Sequence, residues 1–217
     1  NETGFVLGIY LPRSLPALLY NSLFISFSIL PKEPDLAFNI KRQIVGCTPT
    51  SYHGFHEVNS PGTRKWSLYK STDEKFLFSL QDILRYLESA LKDSSFSDWQ
   101  LMRNRVPVGF GLFSTIWTTV AANLSSCKWH CNKLDFGLTA LIYLGSFTGG
   151  NLLVGHPLNM IFPTSKSDLV FIRGKNMHKS LPFKGTRYNL VAYCSPKKAI
   201  SKMGNLEISI SSENFLK

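Results

Sequence analysis

The sequence predicts an α+β protein in which a support helix packs against a β core of the sandwich or jelly-roll type. Three observations lead to this class. The apolar fraction of the 217 residues is 44%, which allows a sizeable buried core. One segment has the apolar periodicity of a helix, and from Val106 onward short β-branched or aromatic runs alternate with turn residues. We expect one domain, made of an N-terminal α/β extension with the support helix (residues 1–105), a β core (106–200) and a C-terminal tail or strand (201–217).

The first 75 residues contain an apolar segment followed by a proline-interrupted one. The run from Ala17 to Leu30 spans 14 residues and includes serines, so it is too short to cross a membrane and is expected to join the core. Residues 31–75 are predicted to form short strands with loops. They contain His53 and His56, which would share one face of a helix, but Gly54 between them argues against a helix. We interpret both as core or surface histidines.

The support helix is predicted from a single apolar face. Six apolar residues recur at the spacing of successive helical turns, and charged residues occupy the rest of the helical wheel. The apolar positions are Leu80, Ile83, Leu84, Leu87, Ala90 and Leu91. We assign this helix a packing role and no chemistry.

The β core is predicted from five short runs, each bounded by turn residues. The runs are Phe113 to Ala122, Leu138 to Tyr143, Asn151 to Val154, Asp168 to Ile172 and Tyr188 to Cys194. Strands of this length and spacing are typical of a sandwich or jelly roll.

The charge balance favours a polyanionic partner. Lys and Arg number 24 against 14 Asp and Glu, which gives a formal net charge of +10. Neutralisation of phosphates supplies sequence-independent affinity for nucleic acid, so nucleic acid is the first candidate. Charge alone does not establish this, because many small basic proteins bind no polyanion.

The cysteines indicate neither a disulfide scaffold nor a zinc site. Four cysteines are too few for a disulfide scaffold at this length. Cys127 and Cys131 flank His130, but no second cysteine pair follows, which disfavours zinc. A reducing intracellular compartment is therefore the expected location. Because the chain begins at Asn1 rather than Met, we expect a piece of a longer protein, whose upstream targeting signal could lie outside it.

A set of motifs in the second half carries the chemistry. His130-Cys131-Asn132 precedes a strand-like run, and His178 follows 48 residues after His130. Between them lies Gly145-Ser146-Phe147-Thr148-Gly149-Gly150, and Arg187 follows nine residues after His178. Each element alone has an ordinary explanation, such as a core histidine or a hairpin turn, but their order and spacing together are hard to attribute to coincidence.

This set resembles the core of the Fe(II)/2-oxoglutarate dioxygenases. The resemblance implies a double-stranded β-helix (jelly roll) that binds Fe(II) and 2-oxoglutarate. His130, Asn132 and His178 then occupy the positions of the family's His-x-Asp and distal His metal ligands. Arg187 stands where the family's basic residue pairs with the cosubstrate carboxylate. Asn189 stands where the family often has a hydroxyl residue, and its amide is expected to donate a hydrogen bond to the cosubstrate.

The residues around His130 are similar to those of fungal TET/JBP-type proteins. The similarity rests on Asn123-Leu124, on Lys133-Leu134-Asp135-Phe136-Gly137-Leu138 and on the Gly-Gly turn. It implies oxidation of a methylated DNA base that is flipped into the iron pocket. DNA is then the expected partner, and the nucleus falls within the expected intracellular location. The sequence does not define an oligomeric state.

Asn132 and Ser167 depart from the family pattern. Asn132 replaces the acidic ligand and supplies a neutral amide where iron would gain a negative charge. Ser167-Asp168 replaces the usual Gly-Asp before the strand that leads to the distal histidine. Three interpretations of Asn132 stay open: a pseudo-enzyme that retains the fold, an enzyme with a substitute ligand (Cys131, Asp135 or an exogenous anion), and an engineered ligand knock-out.

Three functions from different classes follow from these motifs. The first is a TET/JBP-type dioxygenase that oxidises a methylated DNA base. The second is a catalytically inactive nucleic-acid-binding module on the same fold. The third is an oxygenase whose substrate is a protein side chain or a small molecule. The histidine and arginine spacing alone does not separate them.

Overall fold

The structure is a computed structural model that describes residues 6–29, 51–60, 63–69, 74–106, 109, 111–123, 127–133 and 135–194. It contains three α-helices and eleven strands in these ranges, with a short 3-10 turn at Leu112–Ser114. The helices are α1 (Ala17–Ile29), α2 (Glu74–Ser94) and α3 (Phe96–Arg103). The strands are β1 (Gly8–Leu11), β2 (Ser51–Ser60), β3 (Thr63–Tyr69), β4 (Thr119–Asn123), β5 (Cys127–His130), β6 (Phe136–Gly149), β7 (Leu152–Val154), β8 (Met160–Phe162), β9 (Leu169–Ile172), β10 (His178–Ser180) and β11 (Phe183–Cys194). The predicted tail over 201–217 and Cys47 lie outside the described residues.

The strands form two antiparallel sheets. The larger sheet has seven strands in the order β1-β9-β6-β11-β4-β2-β3, and the smaller has four in the order β5-β10-β7-β8. The longest pairing in the larger sheet joins β6 to β11, which are in register from Phe183 opposite Gly149 to Ala192 opposite Ala140. Helices and antiparallel sheets together confirm the α+β class. Three strands of the predicted N-terminal extension pair into the larger sheet, so the extension shares a sheet with the β core.

Two apolar cores lie on opposite faces of the larger sheet. The first is formed with the helices, and its α2 members are those that the periodicity predicted. Leu80, Ile83, Leu84, Leu87 and Leu91 are at most 1% exposed, and Ala90 packs against them. The second core joins the two sheets. Its members from both sheets are Leu141, Tyr143, Leu152, Val154, Phe162, Val170 and Ile172. The larger sheet is therefore covered on both faces, and the smaller sheet lies across it from the helices.

Helix α1 is buried on one side only. Leu23 is fully buried, but Leu18 is 84% and Ile25 61% exposed, so the prediction of a core segment is correct for only part of the helix. The serines of this segment have a structural role, because Ser26 Oγ lies 2.9 Å from Ser79 Oγ of α2. No helix in the described part of the chain is long and apolar enough to cross a membrane.

One predicted strand begins later than expected, for an identifiable reason. The strand predicted from Phe113 begins only at Thr119, because Phe113 and Ser114 have φ of 50° and 63°, which no strand accommodates. The Gly149-Gly150 turn is not a hairpin, because β6 belongs to the larger sheet and the next strand to the smaller one. The turn instead carries the chain from one sheet to the other. As Gly54 indicated, the His53–His56 segment is not helical and lies in β2.

A buried ion pair anchors α3 beneath the loop that precedes β10. Asp98 is fully buried, and its Oδ1 accepts a 2.7 Å hydrogen bond from Arg173 Nη2. Oδ2 of the same carboxylate accepts from Ser95 Oγ at 2.9 Å. Arg173 directly follows β9, so this contact fixes the start of the turn that leads to His178.

Candidate active site

The structure brings His130 and His178 together. Strand β5 pairs with β10, and the two histidines stand directly opposite each other in this pairing. Their ring centroids are 4.2 Å apart. Two imidazoles that are 48 residues apart in the sequence therefore share one small region of the smaller sheet.

Backbone carbonyl groups fix the tautomer of both rings. His130 Nδ1 lies 2.9 Å from the carbonyl oxygen of Lys128, and His178 Nδ1 lies 2.7 Å from that of Asn176. A carbonyl oxygen can only accept, so each Nδ1 carries a proton, and in the neutral ring Nε2 then carries the lone pair. Metal-binding histidines typically have this arrangement, in which the second nitrogen donates to an outer oxygen.

A β-bulge determines which residues of β5 face inward. His178 and Ser180 are two residues apart on β10, but their partners His130 and Cys127 are three residues apart on β5, and the register shifts between them. Simple alternation would direct Cys127 and His130 to opposite faces. The extra residue of the bulge places both opposite the inward-facing residues of β10. Lys128 and Trp129, which lie between them, are exposed.

Asn132 lies in the turn that follows β5. Its backbone N–H donates to the carbonyl of Gly174 at 2.7 Å, and its own carbonyl accepts from the N–H of Asp135 at 3.0 Å. These bonds join the segment after His130 to the segment before His178. The position two residues after His130 is therefore held by backbone contacts, which do not depend on a carboxylate at Asn132.

The structure does not support a substitute protein ligand. Thr139 Oγ1 donates to Asp135 Oδ2 at 3.3 Å, and a Cβ on Gly174 would lie 2.6 Å from the same Oδ2. The carboxylate of Asp135 thus faces Thr139 and Gly174. Among the described residues, which include Cys131 and Asp135, no group of three His, Cys, Asp or Glu side chains is arranged to hold a metal ion.

Arg187 lies in a buried pocket that includes Ser180, two residues after His178 on β10. Its side chain is 1% exposed, and it donates from Nη1 to the carbonyl of Gly150 at 2.8 Å and from Nη2 to Ser180 Oγ at 2.7 Å. Three aromatic rings surround the guanidinium. Its Cζ lies 4.2 Å from the ring centroid of Phe183, 5.7 Å from that of Phe147 and 5.8 Å from that of Tyr143. These six residues are called the Arg187 pocket below.

Tyr143 is a member of this pocket that the sequence did not identify as a site residue. It stands opposite Asn189 in the β6–β11 pairing, and both side chains are buried. The Tyr143 hydroxyl is buried without a hydrogen-bond partner among the described residues. Burial raises the pKa of this hydroxyl well above its usual value, although the positive charge of Arg187 acts in the opposite direction. In the sequence, Tyr143 stands two residues before Gly145 on β6, and this spacing puts both residues on one face of the strand. That pattern did not identify a site residue, because an aromatic residue in a strand usually indicates packing.

Gly150 is the residue that allows Arg187 to occupy its place. A Cβ at this position would collide with Nη1 of Arg187, and the φ of Gly150 is +77°, in the region that favours glycine. The Gly-Gly turn therefore does more than reverse the chain, because it supplies both a carbonyl acceptor and the space for the guanidinium.

Ser167-Asp168 has a structural role. Ser167 has a φ of +67°, which explains why glycine is usual at this position. Asp168 accepts from the Tyr10 hydroxyl at 2.8 Å and from the Arg13 N–H at 2.9 Å. Burial, reinforced by the Asp168 carboxylate, raises the pKa of Tyr10 to about 12. This cluster attaches the N-terminal segment to the turn before β9.

The pocket fits a carboxylate better than the histidines fit a ferrous ion. An arginine with an adjacent hydroxyl donor is a suitable site for a carboxylate, and the buried Tyr143 hydroxyl can satisfy its hydrogen bond by donating to one. The two imidazoles have a suitable tautomer, but the residue two positions after His130 is Asn132, whose amide is neutral. These residues do not form the charge-balanced His-His-carboxylate set that ferrous oxygenases use.

Comparison with solved structures identifies the fold. No family model matches the chain, and no curated protein matches it significantly. The structure of NgTET1 in complex with 5mC DNA superposes with a TM-score of 0.68 over 95% of this chain and 83% of that one, at 19% identity. A Pseudomonas putida prolyl-4-hydroxylase gives 0.54 over 87% of this chain and 92% of that one, at 14% identity. A Trichoplax adhaerens prolyl hydroxylase, solved with a hypoxia inducible factor peptide, gives 0.53 over 90% and 86%, also at 14% identity.

The chain thus has the fold of the 2-oxoglutarate- and Fe(II)-dependent oxygenases, as the motif resemblance predicted. Among the solved structures that share it is NgTET1, a protein of the TET/JBP-like group that the residues around His130 resemble.

Proposed function

We propose that this chain is a dioxygenase-like protein of the TET/JBP type, with a jelly-roll core that binds 2-oxoglutarate and is built to oxidise a methylated base in DNA, a reaction that Asn132 impairs. The proposal rests on one observation: strand β10 connects the histidine pair to the Arg187 pocket. His178 and Ser180 lie on one face of this strand, and successive residues on one face of a strand are roughly 6.6 Å apart. Ser180 contacts Arg187, so a dicarboxylic 2-oxo acid held by Arg187 would extend toward the two histidines.

The residues of the site have separate roles in this proposal. Arg187 neutralises the distal carboxylate of 2-oxoglutarate, and Tyr143 and Asn189 contribute hydrogen bonds to it. Phe147 and Phe183 keep water from the guanidinium, which strengthens its interaction with an anion. Iron, when bound, supplies the activation of oxygen, and His130 and His178 are the residues that would hold it.

Asn132 makes this iron site weak. A carboxylate would offset one positive charge of the ion, whereas the Asn132 amide offsets none. We therefore expect low ferrous affinity and little or no turnover in this chain. The second candidate function, a non-catalytic nucleic-acid-binding module on the same fold, is favoured by this same residue.

DNA is the proposed partner on two grounds. The net charge of +10 favours a phosphate backbone. The structure of NgTET1 shares the fold and was solved with 5mC DNA. The prolyl hydroxylases share the fold at lower TM-scores, so oxidation of a protein side chain is the alternative that the experiments must separate.

The test compares the chain with its Asn132→Asp variant. Both are incubated with Fe(II), 2-oxoglutarate and duplex DNA containing 5-methylcytosine, and the bases are analysed by mass spectrometry. We expect oxidised bases with Asn132→Asp and few or none with Asn132. The matched control is Asn132→Asp combined with His178→Ala, which should lose the product again.

The outcomes separate the candidate functions. If Asn132→Asp turns over 2-oxoglutarate without oxidising DNA, the DNA substrate is wrong. If it neither binds iron nor turns over, the ligand assignment is wrong. DNA affinity that falls steeply with salt in both proteins, without oxidised bases in either, would favour the binding module.

A further inference from the structure

Cys127 borders the Arg187 pocket because of the β-bulge in β5. It stands directly opposite Ser180 in the β5–β10 pairing. Side chains of directly opposed residues lie on the same face, with Cβ atoms about 4.5–5.5 Å apart. Ser180 Oγ in turn accepts the 2.7 Å hydrogen bond from Arg187 Nη2. The thiol is thus one residue away from the guanidinium that the cosubstrate would contact.

A second observation points to a ligand in the Arg187 pocket. The Tyr143 hydroxyl is fully buried and has no hydrogen-bond partner among the described residues. The centroid of its ring lies 5.8 Å from Cζ of Arg187, so this hydroxyl belongs to the pocket that contains the guanidinium. A buried hydroxyl without a partner is costly, by about 1–3 kcal/mol, unless a ligand satisfies it.

Cys127 is more exposed than the polar residues of the Arg187 pocket that it borders. Arg187, Tyr143 and Ser180 are all buried, but Cys127 is only partly buried. Cys194 is also buried, beneath the larger sheet. Cys127 is therefore a thiol beside this pocket that a reagent in solution can reach, and a group attached to its sulfur would lie next to Ser180, the hydrogen-bond partner of Arg187.

We propose that Cys127 is a thiol-modification site whose modification by a low-molecular-weight disulfide closes the Arg187 pocket to 2-oxoglutarate. The inference rests on the proposed function, since it assumes that this pocket binds the cosubstrate. In the exchange, the Cys127 thiolate attacks one sulfur of the disulfide, a new S–S bond forms, and the other half leaves as a thiolate. The thiol proton goes to solvent, and a thiol reductant reverses the reaction.

The experiment uses the whole chain, without metal and in the presence of a chelator. Binding of 2-oxoglutarate is measured by calorimetry before and after treatment with oxidised glutathione, and peptide mass spectrometry locates the adduct. We expect an adduct on Cys127 and a loss of affinity of at least tenfold, with recovery on reduction. Conversely, saturating 2-oxoglutarate should slow the modification of Cys127 several-fold in the native protein.

Two serine variants provide the controls. Each is compared with itself before and after treatment: Cys127→Ser should lose the sensitivity to oxidised glutathione, and Cys131→Ser, four residues along, should keep it. Circular dichroism before and after treatment shows whether the modified protein is folded. If it is not, the protection by 2-oxoglutarate decides, because it is measured on the unmodified fold.

The failures of the two proposals differ. Unmodified protein that does not bind 2-oxoglutarate would overturn the proposed function and this inference with it. Unmodified and Cys127-modified protein that bind 2-oxoglutarate equally, or a modification rate that 2-oxoglutarate leaves unchanged, would overturn the inference alone.

Discussion

At the scale of single residues, the site depends on pairs in which one residue makes room for another. Gly150 is the clearest case, since its missing Cβ is the space that Arg187 Nη1 occupies. The aromatic rings around Arg187 then hold the guanidinium in that place. The identity of residue 150 and the position of Arg187 are therefore linked, although the two are 37 residues apart.

Gly150→Ala should weaken both folding and cosubstrate binding. The positive φ alone costs a residue with a Cβ about 1–2 kcal/mol. Displacement of Arg187 should lower the affinity for 2-oxoglutarate at least tenfold. Urea unfolding and calorimetry measure the two effects. The control is Gly155→Ala, because a Cβ there meets its nearest atom at an ordinary 3.4 Å. Equal behaviour of the two variants would contradict the role given to Gly150.

Tyr143→Phe should separate stability from binding. Removal of a buried hydroxyl without a partner should leave the protein as stable as before or more stable, by up to about 1 kcal/mol. The affinity for 2-oxoglutarate should nevertheless fall. Thermal unfolding with and without 2-oxoglutarate measures both quantities. Tyr10→Phe is the matched control, because the Tyr10 hydroxyl donates to Asp168 and its loss should destabilise the protein. A Tyr143→Phe protein that binds 2-oxoglutarate normally would remove Tyr143 from the site.

At the scale of elements, short loops and turns connect the supporting helices to the candidate metal-binding residues. The Asp98–Arg173 pair joins α3 to the residues after β9. The next residue, Gly174, accepts from the backbone of Asn132, and Asn176 holds the ring of His178. One turn of five residues thus contacts a helix and both halves of the candidate metal site.

Asp98→Asn should destabilise the protein strongly. Removal of one partner leaves the charge of Arg173 in a largely buried place, which typically costs about 3–5 kcal/mol. Chemical denaturation measures this loss. Asp82→Asn, at an exposed position of α2, is the control and should change the free energy of unfolding by less than about 0.5 kcal/mol. A small effect at Asp98 would mean that the ion pair does not fix this turn.

The sequence predicted those elements whose signal is a long period and missed those set by single residues. The apolar face of α2 extends over three turns, and the structure buries its predicted leucines and isoleucine. The five-residue span from Phe113 to Trp117 has strand-like composition but does not form a strand, because two residues in the left-handed region interrupt it. Strands β5, β8 and β10, of three or four residues each, were also missed.

Only part of the candidate site was predicted, because some of its members depend on single residues rather than on a pattern in the sequence. His130, His178 and Arg187 were identified from their order and spacing. The structure brings the two histidines together and places Arg187 in contact with Ser180, two residues after His178. Cys127, Ser180 and Tyr143 were not recognised as neighbours of Arg187. The bulge that brings Cys127 opposite Ser180 changes the register by one residue, and the amino-acid composition does not reveal such a change.

At the scale of the whole molecule, the two cores contribute to different properties: one mainly to stability and the other to the candidate site. The core beneath the helices contains most of the buried apolar side chains, whereas the core between the sheets contains the residues next to the site. Val154, for example, stands directly opposite His178 in the β7–β10 pairing.

A pair of alanine variants should show this division. Leu87→Ala, beneath the larger sheet, should lower the free energy of unfolding by about 2–5 kcal/mol and leave 2-oxoglutarate affinity nearly unchanged. Val154→Ala removes about two methyl groups, which should lower the free energy of unfolding by roughly 1.6 kcal/mol. It should also weaken binding of the cosubstrate. Chemical denaturation and calorimetry on both proteins provide the comparison. If Leu87→Ala weakened binding as much as Val154→Ala, the two cores would not be independent.

The position of β5 at the edge of the smaller sheet has a consequence for motion. Among the described strands it pairs with β10 alone, and it has only four residues. Edge segments with few hydrogen bonds open locally at a lower free energy than the global unfolding. Amide hydrogens of Cys127–His130 should therefore exchange with solvent faster than those of the central strand β6, and a metal ion bridging His130 and His178 should slow them. If this exchange is observed, half of the candidate metal site is carried by a segment that separates from the sheet while the rest of the protein stays folded.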